Sequence, residues 1–339
     1  AIGEDIKKKP RALLPGRLLR PQEAGLLAAL GKQKVAVFQR PVIGIISTGD
    51  EIIPINAAPT LGQIRDINTY TLTGLIHQAG AQAVSFGIVR DDFETLLEKC
   101  KLALDQCDMI LISGGSSVGA RDFTVDVLSA LQDAKVLVHG ISISPGKPTI
   151  LAKVQNKAFW GMPGHVVSSM IVFSRVVRPF VEHFSGQIRE QEKEHRLNAR
   201  LSRNVASRQG RIDFIRVRLR REEDRLWADP VLGKSGLIST MVFADGLLEI
   251  DINTEGLDKG TVGKLAVGAE GQVLHSHQSR GEAPGGGESG MEGVFSRCGS
   301  GSGVHVAVDG GRDCAPSKQD LPPVAGAVSQ GIGGAGDGA

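Results

Sequence analysis

Val42-Ile43-Gly44-Ile45-Ile46 runs straight into Ser47-Thr48-Gly49-Asp50-Glu51, and that change of character decides the fold. An apolar, β-branched run of this length is a buried strand, and the small polar residues after it form a loop delivered at its carboxyl end. The pattern returns at Met109–Ile112, which leads into Ser113-Gly114-Gly115-Ser116-Ser117-Val118-Gly119. It returns again at Ala158–Gly161, which leads into Met162-Pro163-Gly164-His165-Val166-Val167-Ser168. Between these strands lie helical segments. Asp66 or Asn68 can cap a helix over Tyr70–Gln78 that stops at Gly80, and further helices are expected over Phe93–Asp105 and Asp122–Leu131. Strands are expected at Ala83–Val89, Val136–Val138 and Ile150–Val154, and the longest helix at Gly164–Phe184. Such alternation predicts an α/β domain with a doubly wound, mostly parallel sheet. Ligands of these sheets bind outside the carboxyl ends of the strands, where the polar loops lie.

Outward from this core the character changes on both sides. Residues 1–34 read as a remnant of a preceding domain and a connecting helix at Pro21–Gly31, with Leu26, Leu27 and Leu30 on one side. The start has no initiator Met and is read as internal to a longer protein. The α/β domain is assigned to 35–186. Past Gly186, Ile215-Arg216-Val217-Arg218-Leu219-Arg220 alternates with period two, as a half-buried antiparallel strand does. With Leu226–Val231 and Gly246–Ile252 it predicts a small all-β domain over 187–267. Residues 268–339, rich in Gly, Ser, Ala and Pro, lose all periodicity and are expected to be a disordered tail.

Composition removes several function classes. A net charge of +2 gives no basic field for nucleic acid or acidic membranes. No apolar run is long enough to span a bilayer and no signal-peptide pattern opens the chain, so a cytoplasmic location is expected. Cys100, Cys107, Cys298 and Cys314 contain no C-x-x-C pair, which argues against a zinc site or a thioredoxin-type motif.

Four polar loops therefore carry the chemistry. The first is Ser47–Glu51 with Gly62-Gln63-Ile64-Arg65-Asp66-Ile67-Asn68; the second is the Gly-Gly-Ser-Ser-Val-Gly loop with Asp122 beyond it. The third is Ser144-Pro145-Gly146-Lys147-Pro148-Thr149 and the fourth is Met162–Ser168. Glycines let backbone N–H groups approach phosphate oxygens, and Lys147 offers a point charge for an anion. Asp50, Glu51, Asp91 and Asp122 are hard oxygen donors suited to Mg²⁺ shared with a substrate phosphate. Each feature alone has a plain structural reading: a Gly-rich loop is usually a tight turn, and Asp122 can be a helix cap. Pro148 breaks the G-K-[ST] pattern, so Gly146-Lys147-Pro148-Thr149 is not a Walker A loop.

In this order and spacing, Ser-Thr-Gly-Asp-Glu, Gly-Gln-Ile-x-Asp-x-Asn, Gly-Gly-x-Ser-x-Gly-x-x-Asp, Pro-Gly-Lys-Pro and Pro-Gly-x-x-x-Ser resemble the MoeA / gephyrin E-domain family of molybdopterin molybdenumtransferases. Gly3-Glu4-Asp5-Ile6 resembles the motif that precedes that domain, and the likeness covers about residues 1–267. It implies a MogA-like molybdopterin-binding fold and a Mg²⁺-dependent transfer of molybdate, or tungstate, to adenylylated molybdopterin with release of AMP. Carried over by motif, Glu51, Asp91 and Asp122 become the catalytic and Mg²⁺-binding residues. Substrate contacts fall on Thr48, Gly49, Asp50, Asp66, Asn68, Gly114, Gly115, Ser116, Ser117, Gly119, Pro145, Gly146, Lys147, Pro148, Pro163, Gly164, His165 and Ser168. Arg216 and Ser235, the latter within Lys234-Ser235-Gly236, fall where the family handles the oxyanion. The resemblance also implies a homodimer for the full-length protein, completed by an N-terminal region mostly missing here, and allows contact with the adenylyltransferase of the pathway.

Three positions depart from the family. Ser144 and Gly140 stand where lysines are usual, and Pro-Gly-His165-Val replaces Pro-Gly-Asn-Pro. His165 is thus either a ligand contact or a helix-start residue satisfied by solvent. Two alternatives to the transferase are the related adenylyltransferase, which shares the α/β fold and uses ATP, and a non-catalytic gephyrin-like scaffold. The β domain and the Gly-Glu-Asp-Ile segment favour the transferase.

Overall fold

The computed structural model describes residue 6 and residues 11–114, 123–187 and 196–267. The expected helix start at Asp122 and the expected tail over 268–339 lie outside the described residues.

The first sheet has the strand order Gln82–Val89, Val42–Thr48, Met109–Ser113, Lys157–Met162, Ile150–Val154, Ala134–His139. The first four are mutually parallel, and the last two join by antiparallel pairing. The expected mostly parallel sheet is present, with an antiparallel edge. Side chains of alternate residues enter opposite cores, as the period of a strand requires. Ile46, Ile110 and Ile112 pack against Leu96, Cys100 and Leu104 of helix Phe93–Gln106 and Val127 of helix Phe123–Ala130. Ile43, Ile45 and Leu111 pack against Leu72 and Ile76 of helix Asn68–Gln78 and Phe173, Val177 and Val181 of the long C-terminal helix. Each of these fully buried side chains contributes roughly 1.5–3 kcal/mol by leaving water.

The long helix is not uniform. It runs as α over Val166–Val172, widens to a π turn over Phe173–Val177, and returns to α over Arg178–Phe184. Pro179 has no amide to give to the carbonyl four residues back, and the widened turn immediately upstream absorbs that loss.

The second sheet has the order Arg225–Pro230, Arg196–Leu201, Val262–Val267, Gly246–Ile250, Ile212–Glu222, Ile143–Ser144. Arg225–Pro230 also pairs with Ile212–Glu222, so five strands close on themselves around Ala199, Leu201, Val217, Ala228, Leu248, Ile250 and Leu265. The sixth strand is contributed by the α/β portion: Ile143 pairs with Ile212 and Ser144 with Asp213, in parallel. A second junction is apolar, with Val166, Val167 and Ile171 against Phe214, Ile238 and Met241.

Two sequence expectations are corrected. The first helix spans Pro21–Ala29, and its buried residue is Glu23, not a leucine; Leu30 lies past the helix end and is exposed. Glu23 takes hydrogen bonds from the Arg20 and Arg17 guanidinium groups, and chiefly the Arg20 bond holds its carboxyl down at about 2. The strand Ile212–Glu222 is not half-buried throughout. Arg216, on the face expected to meet solvent, is buried because the segment leading into the short helix Ser239–Val242 folds over it.

Candidate active site

Thr48, Val89, Ser113, His139 and Met162 end five strands at one edge of the first sheet, and the four expected loops all leave from there. The first loop is anchored by Asp66. Buried, it accepts hydrogen bonds from Ser47 Oγ at 3.1 Å, the Thr69 amide at 3.1 Å and Thr69 Oγ1 at 2.6 Å. Asp66 therefore does the capping, which frees Asn68 for another task. Asn68 Nδ2 donates to Ser113 Oγ at 2.6 Å and to the Gly164 carbonyl at 2.7 Å, tying three loops together. Its Oδ1 is buried with no partner among the described residues, a condition that costs about 1–3 kcal/mol unless a donor arrives.

Asp50 and Asp91 are linked on the neighbouring side. Thr48 Oγ1 donates to Asp91 Oδ1 at 2.8 Å, and the Asp91 amide donates to Asp50 Oδ1 at 3.3 Å. Glu51 is exposed, its carbonyl accepting from the Ile64 amide at 2.9 Å. Among the described residues no group of three His, Cys, Asp or Glu side chains can by itself hold a metal ion. Asp50, Glu51 and Asp91 are nevertheless a set of hard oxygen donors, and Mg²⁺ normally completes such a set with water and substrate phosphate.

The second loop begins at Gly114, where only glycine fits. Its φ is +115°, and a Cβ there would lie 2.0 Å from the Thr48 carbonyl oxygen. Gly115, Ser116, Ser117, Gly119 and Asp122 lie outside the described residues. In the third loop Gly146 is buried with φ +128°, and a Cβ would meet Val172 at 2.6 Å and Ile143 at 2.9 Å. The Lys147 carbonyl accepts from the Ile141 amide at 3.0 Å and the Thr149 amide at 2.8 Å, while Thr149 Oγ1 donates to the Gly146 carbonyl at 2.7 Å. The backbone is thereby fixed, with the side chains of Lys147 and Pro148 exposed and Pro145 half-buried.

The fourth loop reaches across to the β portion. Pro163 and Ser168 are buried, whereas Gly164 and His165 are exposed. His165 Nδ1 and Ser235 Oγ share a hydrogen bond of 2.8 Å, and the Val167 amide donates to the Ser235 carbonyl at 3.0 Å. Arg216 is arranged differently from a side chain offered to solvent. Its Nη1 donates to Thr240 Oγ1 at 3.0 Å and its Nη2 to the Gly233 carbonyl at 2.9 Å, so two arms of the fork bracket the loop that carries Ser235. Its Nε is buried with no partner among the described residues, and burial lowers the guanidinium pKa from its ordinary value.

Sequence reasoning did not single out Thr69, Ser113 and Thr240. Ser113 had a signal, since it stands at the polar end of its strand beside Ser47 of the first, but Thr69 and Thr240 act through contacts that no local pattern announces.

Two family models match this chain. Residues 44–183 match a probable molybdopterin binding domain and residues 198–264 the MoeA C-terminal region, domain IV. A Methanocaldococcus jannaschii protein assigned to molybdopterin biosynthesis is 36% identical over 269 residues, covering 76% of this chain and 63% of that protein. The molybdopterin molybdenumtransferase of Haemophilus influenzae is 35% identical over 216 residues, covering 63% of this chain and 52% of the enzyme. A solved structure of the molybdopterin biosynthesis MoeA protein from Pyrococcus horikoshii superposes with a TM-score of 0.67 at 35% identity, covering 78% of this chain and 63% of that one. The chain thus spans less than two thirds of the length of these relatives. With both of its folded portions matched in order, the chain belongs to the MoeA, or molybdopterin molybdenumtransferase, family.

Proposed function

We propose that the full-length protein inserts molybdate, or tungstate, into adenylylated molybdopterin and releases AMP. One observation carries this reading: the sheet edge of the portion matched to a molybdopterin-binding domain is joined, through His165 and Ser235, to the β portion matched to the MoeA C-terminal region. A pterin site and an oxyanion site on those two portions would then face each other. Gly49, Gly114 and Gly164 line the edge where a phosphate-bearing ligand approaches backbone N–H groups. The unpaired Asn68 Oδ1 is an acceptor for a pterin N–H. Lys147 and Ser235 orient the oxyanion through charge-assisted and neutral hydrogen bonds, while Arg216 shapes the Ser235 loop.

Mg²⁺ held by Glu51, Asp91 and Asp122 would neutralise charge developing on the phosphoanhydride. Water adds to the phosphoanhydride, leaving phosphate on the pterin and AMP as the departing group, and the two soft dithiol sulfurs give up their protons as they displace an oxygen of the oxyanion, which leaves as water. The same reading makes the full-length protein a cytoplasmic homodimer that receives its pterin from the adenylyltransferase of the pathway.

The test mixes full-length protein with adenylylated molybdopterin and Mg²⁺, with molybdate, tungstate or no oxyanion, and follows AMP and incorporated metal. Oxyanion-dependent AMP release is the expected result, and its preference identifies the metal. AMP release without an oxyanion requirement, or ATP-dependent pyrophosphate release with unadenylylated molybdopterin, would overturn it. Lys147→Ala is expected to weaken oxyanion affinity about tenfold, the loss of one charge-assisted bond. Equilibrium dialysis reads this directly, and unchanged affinity would make Lys147 a purely structural residue.

A further inference from the structure

Ser235 is attached to the start of the long helix twice, by its hydroxyl to His165 Nδ1 at 2.8 Å and by its carbonyl to the Val167 amide at 3.0 Å. The residue before His165 is itself fixed from the other side, because the Gly164 carbonyl accepts from Asn68 Nδ2, which also donates to Ser113 Oγ. These bonds form one line: Ser113, Asn68, Gly164, His165, Ser235. It runs from the first sheet's carboxyl edge to the loop that Arg216 brackets through Gly233 and Thr240.

We propose that His165 is a positioning residue for Ser235, holding the 233–240 loop against the helix start so that the pterin and oxyanion halves of the site keep a fixed separation. This rests on the transferase reading for its catalytic consequence, although the latch itself does not. His165 acts through Nδ1, so the ring's second nitrogen is dispensable. An asparagine amide reaches the place of Nδ1, whereas a glutamine amide reaches nearer that of Nε2. The departure from the family's usual asparagine at this position is then conservative in the one atom that matters.

The geometry also explains why a bond to an exposed histidine has effect. The carbonyl bond from the Val167 amide and the apolar contacts of Val166, Val167 and Ile171 with Phe214, Ile238 and Met241 share the docking of the loop with the His165 bond. What they leave undetermined is the rotation of the Ser235 hydroxyl, which swings about a single bond. The imidazole fixes it. Loss of the ring should therefore loosen oxyanion placement far more than pterin binding.

The experiment compares His165→Ala, His165→Asn, His165→Gln and Ser235→Ala in the full-length protein. Molybdate affinity in the presence of adenylylated molybdopterin, pterin affinity alone, and amide exchange at Val167 are measured on each. The expected result is a loss of about five- to tenfold in molybdate affinity for His165→Ala and Ser235→Ala, the scale of one hydrogen bond. Their double variant should lose no more than either alone. Pterin affinity should be unchanged, Val167 exchange should accelerate in His165→Ala, and His165→Asn should restore both properties. Restoration by His165→Gln and not by His165→Asn would mean that Nε2 meets the ligand, and would overturn the proposal. Additive losses in the double variant would overturn it too. Should the wild-type protein bind no oxyanion at all, the transferase reading falls, and the Val167 exchange rate still decides the latch: unchanged exchange in His165→Ala refutes it, accelerated exchange reversed in His165→Asn upholds it.

Discussion

Asp91→Asn is expected to lower oxyanion-dependent AMP release by the full-length protein on the order of 100-fold. The carboxamide keeps an oxygen to accept from Thr48 Oγ1, now 2.8 Å from Asp91 Oδ1, and leaves the backbone bond to Asp50 untouched. The loop should therefore stay in place while one negative oxygen is lost. Hard cations bind a neutral amide less strongly than a carboxylate, so raising Mg²⁺ should recover part of the rate. Asp122→Ala, which removes an expected ligand outright, should abolish release with no recovery. Steady-state AMP release over a Mg²⁺ titration checks both. Wild-type rates in Asp91→Asn, or a loss indifferent to Mg²⁺, would make Asp91 a residue that orders the Thr48 turn and nothing more.

The sequence made the α/β core legible because its signals are local. Val42–Ile46 and Met109–Ile112 are apolar runs of strand length, and each emerges as a central strand with a polar loop after it. The motif order also placed the loops at one edge, since a parallel sheet brings all its carboxyl ends together. What escaped was long-range. Ile143–Ser144 is a two-residue strand whose partner, Ile212–Asp213, lies far along the chain, and two residues carry no period. Arg216 reads as solvent-facing in an alternating strand, yet it is buried because the loop from Gly233 to Thr240 returns over it. The bond between His165 and Ser235 joins residues 70 positions apart. Sequence reasoning left His165 open between ligand contact and solvated helix start; it stands exposed at the helix start, and its bond to Ser235 was announced by neither reading. Leu26, Leu27 and Leu30 suggested an apolar stripe on the first helix, whereas the burial there goes to Glu23, neutralised by two arginines.

Gly114→Ala is expected to destabilise the fold by about 2–6 kcal/mol, combining a strained backbone with overpacking. At φ +115° a residue with a side chain is already strained, and the new Cβ would stand 2.0 Å from the Thr48 carbonyl oxygen. That oxygen cannot swing aside cheaply. It belongs to the end of Val42–Thr48, which pairs with Gln82–Val89 at Thr48 and with Met109–Ser113 one residue earlier. Relief must come from displacing Gly114 itself, and with it the path into the Gly-Gly-Ser-Ser-Val-Gly segment. Thermal unfolding should fall by roughly 5 °C or more for a domain of this size. Folded Gly114→Ala protein should also bind adenylylated molybdopterin poorly. Gly164→Ala is the matched control: among the described residues a Cβ there meets only Gly114 Cα, at 3.7 Å, an ordinary contact. The control should unfold close to the wild-type temperature. Equal melting of all three proteins would mean that Gly114 and Thr48 do not approach this closely, and the two loops would then be independent turns with no shared edge to hold a phosphate.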